Sequence, residues 1–461
     1  MDFNFNIENF GNIKKASIEI KPLTIIAGEN GTGKSFTTKS LYCLLDALNK
    51  DYLMEYIQVN LAKIQRNIIF FESEFTKKSQ KDMDFIEDLK TSKLVFLNFI
   101  QNELQELNLE QQEKLLNSFF YRIKNDYKEI EQYQKKQSPL KKFEKVSSYT
   151  SEILKSYKNL LILEEDFKGV VSLGIEKDLK DNFQKNFQIS NLETLVRKDE
   201  KIKSFDLKID SIGNMNVKEN QNIDFSFTSK GIMEIQKLAN IVYIDSPAYL
   251  KVRKALENRK RGFSLGFKVF DEEKYLKDYP LYLDRLYEFL DKKYLDAPDF
   301  KELSDELQKL MSGKLNITKS GDIEYLDINN NAMPLSLTAM GITNIGLIDL
   351  LIRNNIINKG SFLIMDEPEA HLHPEWQVTL IKILYKVAQA GANIIIATHS
   401  IDMIKAVELL IKQDEDAKKL ISLNKMPYKN NFMNLSQEEK IEEILTDLSS
   451  PFYKMYMEGL K

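Results

Sequence analysis

The sequence is poor in the residues that build secreted or metal-stapled proteins. One cysteine in 461 residues, Cys43, cannot close an intrachain disulfide, and three histidines beside a single thiol give no metal-cluster spacing. A disulfide scaffold and a zinc module are therefore excluded. Excess charge of one sign is lacking too: 65 Lys+Arg against 69 Asp+Glu leave only −4. Bulk positive charge does not hold a polyphosphate here, and any nucleic-acid contact must be a local patch. No uninterrupted apolar run reaches the roughly 18 residues that cross a bilayer, and Met1 to Asn6 lacks an apolar signal core. The expectation is a cytoplasmic protein with no membrane contact. Seventeen glycines and ten prolines are few for this length, and no proline lies between Pro22 and Pro139, which favours long helices in that interval.

Hydrophobic residues, at 43%, suffice for a substantial core over about three domains' worth of chain. Phe3 to Phe10 and Ala16 to Ile20 alternate as strands, and Leu23 to Ala27 is a buried run ending at Gly28, with a helix expected from Lys34. From about Leu48 to Glu200 the composition shifts to Lys, Glu, Gln, Asn and Leu. Within it Leu116, Phe120, Ile123, Tyr127 and Ile130 recur at 4,3,4,3 spacing, the stripe of a helix packed in a helical subdomain or of a short coiled coil. Ser204–Ile209 and Ile223–Phe227 alternate on either side of Gly213-Asn214 and read as antiparallel β, and Ile241 to Ile244 reads as a buried strand. A second helical block runs from about Leu250 to Leu310, and Lys314 to Ile328 is expected to form a hairpin turning at Gly321-Asp322. Two apolar strands, Phe362 to Met365 and Asn393 to Ala397, are joined by a helix that Pro374 starts and Gly391 ends.

Gly28-Glu29-Asn30-Gly31-Thr32-Gly33-Lys34-Ser35 matches the phosphate-binding pattern GxxxxGK[ST] in the required context, after a buried strand and at the start of a helix. Glycines let backbone N–H groups fold around phosphate, the helix N-terminus adds partial positive charge, Lys34 reaches the β- and γ-phosphates and Ser35 ligates Mg²⁺. The expected nucleotide contacts are Gly28, Asn30, Gly31, Thr32, Gly33, Lys34, Ser35 and Phe36. Phe362 to Glu367 is an apolar strand ending in two acids, the form needed for Asp366 to hold Mg²⁺ through water while Glu367 orients and deprotonates an attacking water. His399 follows the next apolar strand, where a neutral imidazole would meet the γ-phosphate or that water. His371 and His373 form an HxH, but no third nitrogen or thiolate is placed to complete a metal site.

Ile7-Glu8-Asn9-Phe10 before the loop, then Met365 to Pro374 (MDEPEAHLHP), then Ala397-Thr398-His399-Ser400 resemble the ABC-type ATPase heads of the SMC, RecF and OLD-nuclease group, especially stand-alone ATPases of prokaryotic antiphage defence. The resemblance covers about half the chain, at both ends and around Pro334 to Leu351. It implies an α/β fold, a P-loop NTPase head of ABC type whose mixed sheet carries an antiparallel lobe, interrupted by helical, partly coiled-coil insertions. The implied head is discontinuous, residues 1–47, 201–250 and 314–461, with a helical insertion at 48–200 and a helical subdomain at 251–313. It also implies ATP and Mg²⁺ as ligands and a composite site, closed by a signature segment from a second copy. The candidate is Leu335 to Ile342, where Ser336 or Thr338 supplies the hydroxyl and Gly341 permits close approach; Ala339 and Met340 stand where the group has a second Ser or Gly. For a Mg²⁺-sensing glutamine, Gln65 is a candidate by order only.

The 332 residues from Lys34 to Asp366 exceed a compact ring ATPase. A transporter motor is disfavoured by the same length and by a signature unlike LSGGQ. The resemblance implies a homo-oligomeric ATPase that controls a separately encoded effector such as a nuclease or toxin; the alternative is a RecF- or SMC-like repair ATPase that clamps DNA. For DNA, the cluster Lys251, Arg253, Lys254, Arg259, Lys260 and Arg261 is either a phosphate-tracking patch or a solvated helix face. Asp414-Glu415-Asp416 resembles the DxD of TOPRIM nucleases, but the 62 residues after His399 are too few for that domain, and a surface loop is expected. Lys34→Ala should abolish ATP binding, since no other loop residue neutralises the phosphates; ATP affinity equal to that of the unaltered protein, by calorimetry, would contradict the assignment.

Overall fold

Alternation in the first twenty residues produces an antiparallel pair. Phe3–Phe10 (β1) and Ile13–Ile20 (β2) each bury their apolar side chains on one face, and they pair in register from Phe3↔Ile20 to Phe10↔Ile13. Leu23–Gly28 (β3) is buried along its whole length, as a strand inside a helix-covered parallel sheet must be. Lys34–Leu48 (α1) follows directly from the phosphate-loop glycines. The computed structural model describes residues 1–74, 80–99, 107, 109–137, 143–199, 201–218, 222–236, 238–253, 279–291 and 300–459. Contacts divide the chain into two units, one of Met1–Asn49 with Asp178–Lys461 and one of Lys50–Lys177.

The Lys50–Lys177 unit is helical: Tyr52–Glu74 (α2), Gln80–Phe99 (α3), Leu109–Gln137 (α4), Phe143–Glu165 (α5) and the start of Phe167–Phe187 (α6). α2 packs on α3 and α5, and α4 on α5. Leu116, Phe120, Ile123 and Ile130 of the α4 stripe are buried there, so the stripe serves ordinary helix packing. A polar knot lies within this core: Ser92 and Tyr157 both donate to Asp126, whose carboxyl burial pushes above the usual range.

In the other unit, Ser204–Ile209 (β4), Gly213–Lys218 (β5) and Ile223–Phe227 (β6) extend the first pair into an antiparallel sheet of order β2-β1-β4-β5-β6. Gly213-Asn214 opens β5 instead of turning the chain. The turn belongs to Ser211, at φ 66, and Gly213 sits in the strand because a Cβ there would meet Phe225 and the Ser226 carbonyl at 2.8 Å. Ser229–Gln236 (α7) leads to Ile241–Ile244 (β7); Leu281–Asp291 (α8) and Lys301–Met311 (α9) follow. Gly313–Ile317 (β8), Ile323–Asp327 (β9) and Ala332–Pro334 (β10) form a small antiparallel sheet containing the expected hairpin. Then come Met340–Arg353 (α10), Phe362–Asp366 (β11), Pro374–Gln389 (α11), Asn393–Thr398 (β12), Ile401–Gln413 (α12), Glu415–Leu420 (α13), Ile421–Met426 (β13) and Gln437–Gly459 (α14). Asp414 to Asp416 is thus a helix start and not a surface loop: the Asp414 side chain accepts the Asp416 N–H and caps α13.

The central sheet has the order β13-β3-β12-β11-β7, all parallel. Its carboxyl ends therefore share one edge, where Gly28, Thr398, Asp366 and Ile244 end their strands. α1 lies against β3, β12, β11 and β7. The parallel and antiparallel strands form separate sheets, joined where Asn424 and Ser422 of β13 hydrogen-bond the Glu19 backbone of β2. This is a P-loop α/β head with an antiparallel lobe and a helical insertion, the fold class expected. Among the described residues no helix is long and apolar enough to cross a membrane. Ile395→Ala, at a fully buried position in β12, should lower stability by about 2–5 kcal/mol, read as a shift in denaturant midpoint.

Candidate active site at the sheet edge

The phosphate loop turns from β3 into α1 under tight steric limits. A Cβ on Gly28 would stand 2.2 Å from the Met426 carbonyl, and Gly33 caps α1 at φ 100 with Ile13 2.8 Å from its missing Cβ. The first i→i−4 bond of the helix runs from Thr37 to Gly33, so the N–H groups of Lys34, Ser35 and Phe36 lie in its open first turn. Thr32 donates to the Glu29 carbonyl, Asn12 supports the loop through the Gly31 carbonyl at 2.6 Å, and Asn30 is exposed. The Phe36 ring is committed elsewhere, packed on Phe10 and Phe187, which leaves its backbone N–H as its contribution to the loop. Lys34 is buried, and its ammonium donates to the Gly28 and Glu29 carbonyls at 2.8 and 2.9 Å. Burial lowers its pKa, while Glu367, Asp366 and Glu369 act in the opposite sense. An ammonium resting on loop carbonyls and facing three carboxylates fits a site built to receive phosphate.

Asp366 is the best-held acid. Thr38 donates to Oδ1 at 3.2 Å and Tyr243 to Oδ2 at 2.8 Å, and the Ser35 hydroxyl lies near enough to favour its charged form. Burial raises its carboxyl above the usual range, with the Tyr243, Ser35 and Thr38 hydroxyls opposing. A hydroxyl and a carboxylate together are hard oxygen donors of the kind Mg²⁺ takes, and a cation there relieves the burial penalty. Glu367 sits at φ 48, a left-handed backbone uncommon for a residue other than glycine, and its N–H is fixed on the Ala397 carbonyl at 2.8 Å. His399 Nδ1 lies 3.4 Å from Glu367 Oε1 and 3.4 Å from Glu369 Oε1. The loop, both acids and His399 are thus gathered at one sheet edge.

The signature candidates are placed differently. Among the described residues neither Ser336 nor Thr338 hydrogen-bonds the phosphate loop. Ser336 is exposed, whereas Thr338 is buried and donates to the Pro334 carbonyl. Ala339 caps α10 without a side-chain hydrogen bond, so its first-turn amides are not claimed by a side-chain cap. Gly341 is small for an internal reason: a Cβ would meet the His371 carbonyl at 2.8 Å, and Asn344 binds the Pro368 carbonyl at 2.8 Å, docking α10 on the segment after β11. Gln65 belongs to the Lys50–Lys177 unit and accepts from Lys93; the residue that follows β7, the strand beside β11, is Asp245. His373 Nδ1 accepts the Glu375 N–H and caps α11, an ordinary role. Of the basic cluster, Lys251 donates to the Thr338 carbonyl and Arg253 is buried and paired with Asp291; Lys254, Arg259, Lys260 and Arg261 lie outside the described residues.

Two contributors escaped the sequence reading. Tyr243 lies in an apolar run that signals only a strand, and nothing local reveals that its hydroxyl reaches Asp366. Glu369 stands in the quoted motif but is recognisable only once β12 is seen beside β11.

Fold and site together define a P-loop ATPase. The chain belongs to the AAA ATPase domain family, whose match spans residues 3–404. No curated protein matches it. Similar solved structures include an SMC head bound to the C-winged helix domain of ScpA (11% identity, TM-score 0.39, covering 88% of this chain and 91% of that one). Others are the SMC head domain from Thermotoga maritima (9%, 0.32, 88% and 92%) and the ADP conformation of MJ1267, an ATP-binding cassette of an ABC transporter (12%, 0.31, 97% and 96%). Tyr243→Phe should lower kcat/KM for ATP about tenfold through the lost bond to a charged group, with the fold intact by circular dichroism; unchanged kinetics would reduce the hydroxyl to a packing role.

Proposed function

We propose that this ATPase is a cytoplasmic switch in which at least two copies enclose Mg²⁺ and ATP, and that the switch controls a separately encoded effector such as a nuclease or toxin in antiviral defence. The observation that carries the switch is the pairing of a gathered hydrolytic set at the sheet edge with a separate helix start at α10 that has no side-chain cap and is preceded by the exposed Ser336. Glu367 and His399 of the first are about two-fifths exposed, and the second is suited to cover them in another copy.

In this reading the N–H groups of Gly33 to Phe36 and the Lys34 ammonium take the phosphates. Ser35 and Asp366 hold Mg²⁺, which when bound neutralises charge on the phosphate oxygens. Glu367 accepts a proton from the attacking water, its strained backbone aiming the carboxylate, and His399 touches the γ-phosphate or that water. The defence setting is supported by the MDEPEAHLHP and ATHS segments, whose likeness is to that group.

Glu367→Gln should bind ATP and fall at least about a hundredfold in kcat, while accumulating a dimer or larger assembly with ATP in light scattering. A variant that hydrolyses at the normal rate, or stays monomeric with ATP, contradicts the switch. Hydrolysis stimulated by duplex DNA with a steep salt dependence would move the reading to a DNA-clamping repair ATPase.

A further inference from the structure

Glu369 lies between β11 and α11 and is only 7% exposed. Its Oε1 accepts the Thr398 hydroxyl at 2.7 Å and the His399 backbone N–H at 2.9 Å, and stands 3.4 Å from His399 Nδ1. Its Oε2 is buried without a hydrogen-bond partner. A buried carboxylate with an unused oxygen is costly to keep, and such an atom calls for a reason. Helix capping does not supply one, because His373 caps α11. An apolar side chain would fill the same space but leave the Thr398 hydroxyl and the His399 N–H without this acceptor. Besides Thr398, the carboxylate reaches both the backbone and the ring of His399.

Glu367 competes for the same ring nitrogen. Its Oε1 is also 3.4 Å from Nδ1, so two carboxylates share one imidazole edge. The tautomer of a neutral histidine follows the hydrogen bonds its ring makes, and carboxylates facing Nδ1 select the form protonated there. Were Glu367 the sole partner, the ring would occupy the carboxylate that has to take a proton from water.

We propose that Glu369 is a positioning residue for His399: by holding the backbone N–H and Nδ1 from one oxygen, it fixes the Nδ1–H tautomer, leaves Nε2 for the nucleotide side and keeps the imidazole from capturing Glu367. The proposal deepens the hydrolytic reading and rests on it for its kinetic consequence, but not for its structural one.

Three histidines make the test direct, since ¹⁵N-histidine labelling gives three imidazoles, with His399 assigned by His399→Gln. The nucleotide-free protein should show His399 protonated at Nδ1. Glu369→Ala should leave Glu367 as the ring's sole carboxylate partner, moving the His399 ¹⁵N shifts and lowering kcat about tenfold or more with KM for ATP within about twofold; only Glu369→Ala combined with Glu367→Gln should return the ring to the Nε2–H form. Should Glu369→Ala fail to fold, Glu369→Gln, which keeps an acceptor oxygen but no charge, should move the His399 ¹⁵N shifts less and give a smaller drop in kcat. An Nε2–H ring in the unaltered protein, or unmoved His399 ¹⁵N shifts and kcat in the Glu369 variants, would overturn the proposal. A protein with the Nδ1–H ring but no ATP hydrolysis at all would instead remove the hydrolytic reading while leaving the contact in place.

Discussion

The Asp366 carboxylate is the point on which the head depends, because it is buried at the end of β11 and charged groups are tolerated in such places only with partners. Its hydrogen-bond partners come from different elements: Thr38 from α1, and Tyr243 from β7. One side chain therefore ties the phosphate-loop helix to the sheet from two directions. The Tyr243 ring packs in turn on Tyr42 and Tyr282, so the hydroxyl that meets the acid is held by an aromatic cluster reaching α8. Tyr282 donates to Asp245 at the end of β7, and a second carboxylate on the same edge is thereby held in the same manner.

A second constraint acts at the backbone. The segment after β11 carries two residues other than glycine in left-handed conformation, Glu367 at φ 48 and His371 at φ 65. Glu367 is pinned to β12 through the Ala397 carbonyl, and the far side of the segment is pinned to α10 through Asn344 on the Pro368 carbonyl and the close approach of Gly341 to His371. α10 is fixed at its other end as well, where Asp349 receives Ser304, Gln308 and Arg353. The peptide carrying Glu367 and the start of α10 are thus joined through one short segment held at both ends.

How much of this was legible in the sequence differs by element. The glycine pattern, the apolar strand ending in Asp366-Glu367 and the strand before His399 were readable because each is a local pattern with its own period, and so was the antiparallel lobe. That Gly213-Asn214 opens a strand of its own was not legible, because the crowding by Phe225 across the ladder that calls for glycine there is not local. Phe36 was readable as a loop neighbour, while its ring's place beside Phe10 and Phe187 depends on packing between distant segments. The basic cluster read as a surface feature because charge alone does not reveal that Arg253 turns inward to Asp291. Tyr243 and Glu369 were hidden for one shared reason: their partners are 123 and 30 residues away, across neighbouring strands.

The strand order has a consequence for how the protein comes into being. β3, which carries the phosphate loop, has β12 on one edge and β13 on the other, and both arrive from beyond residue 392. During synthesis its apolar edges wait bare through most of translation, a long-range closure of the slow and aggregation-exposed kind. A nascent chain consequently carries the GxxxxGKS letters early, while the sheet that frames them closes only when the last parallel strands are added.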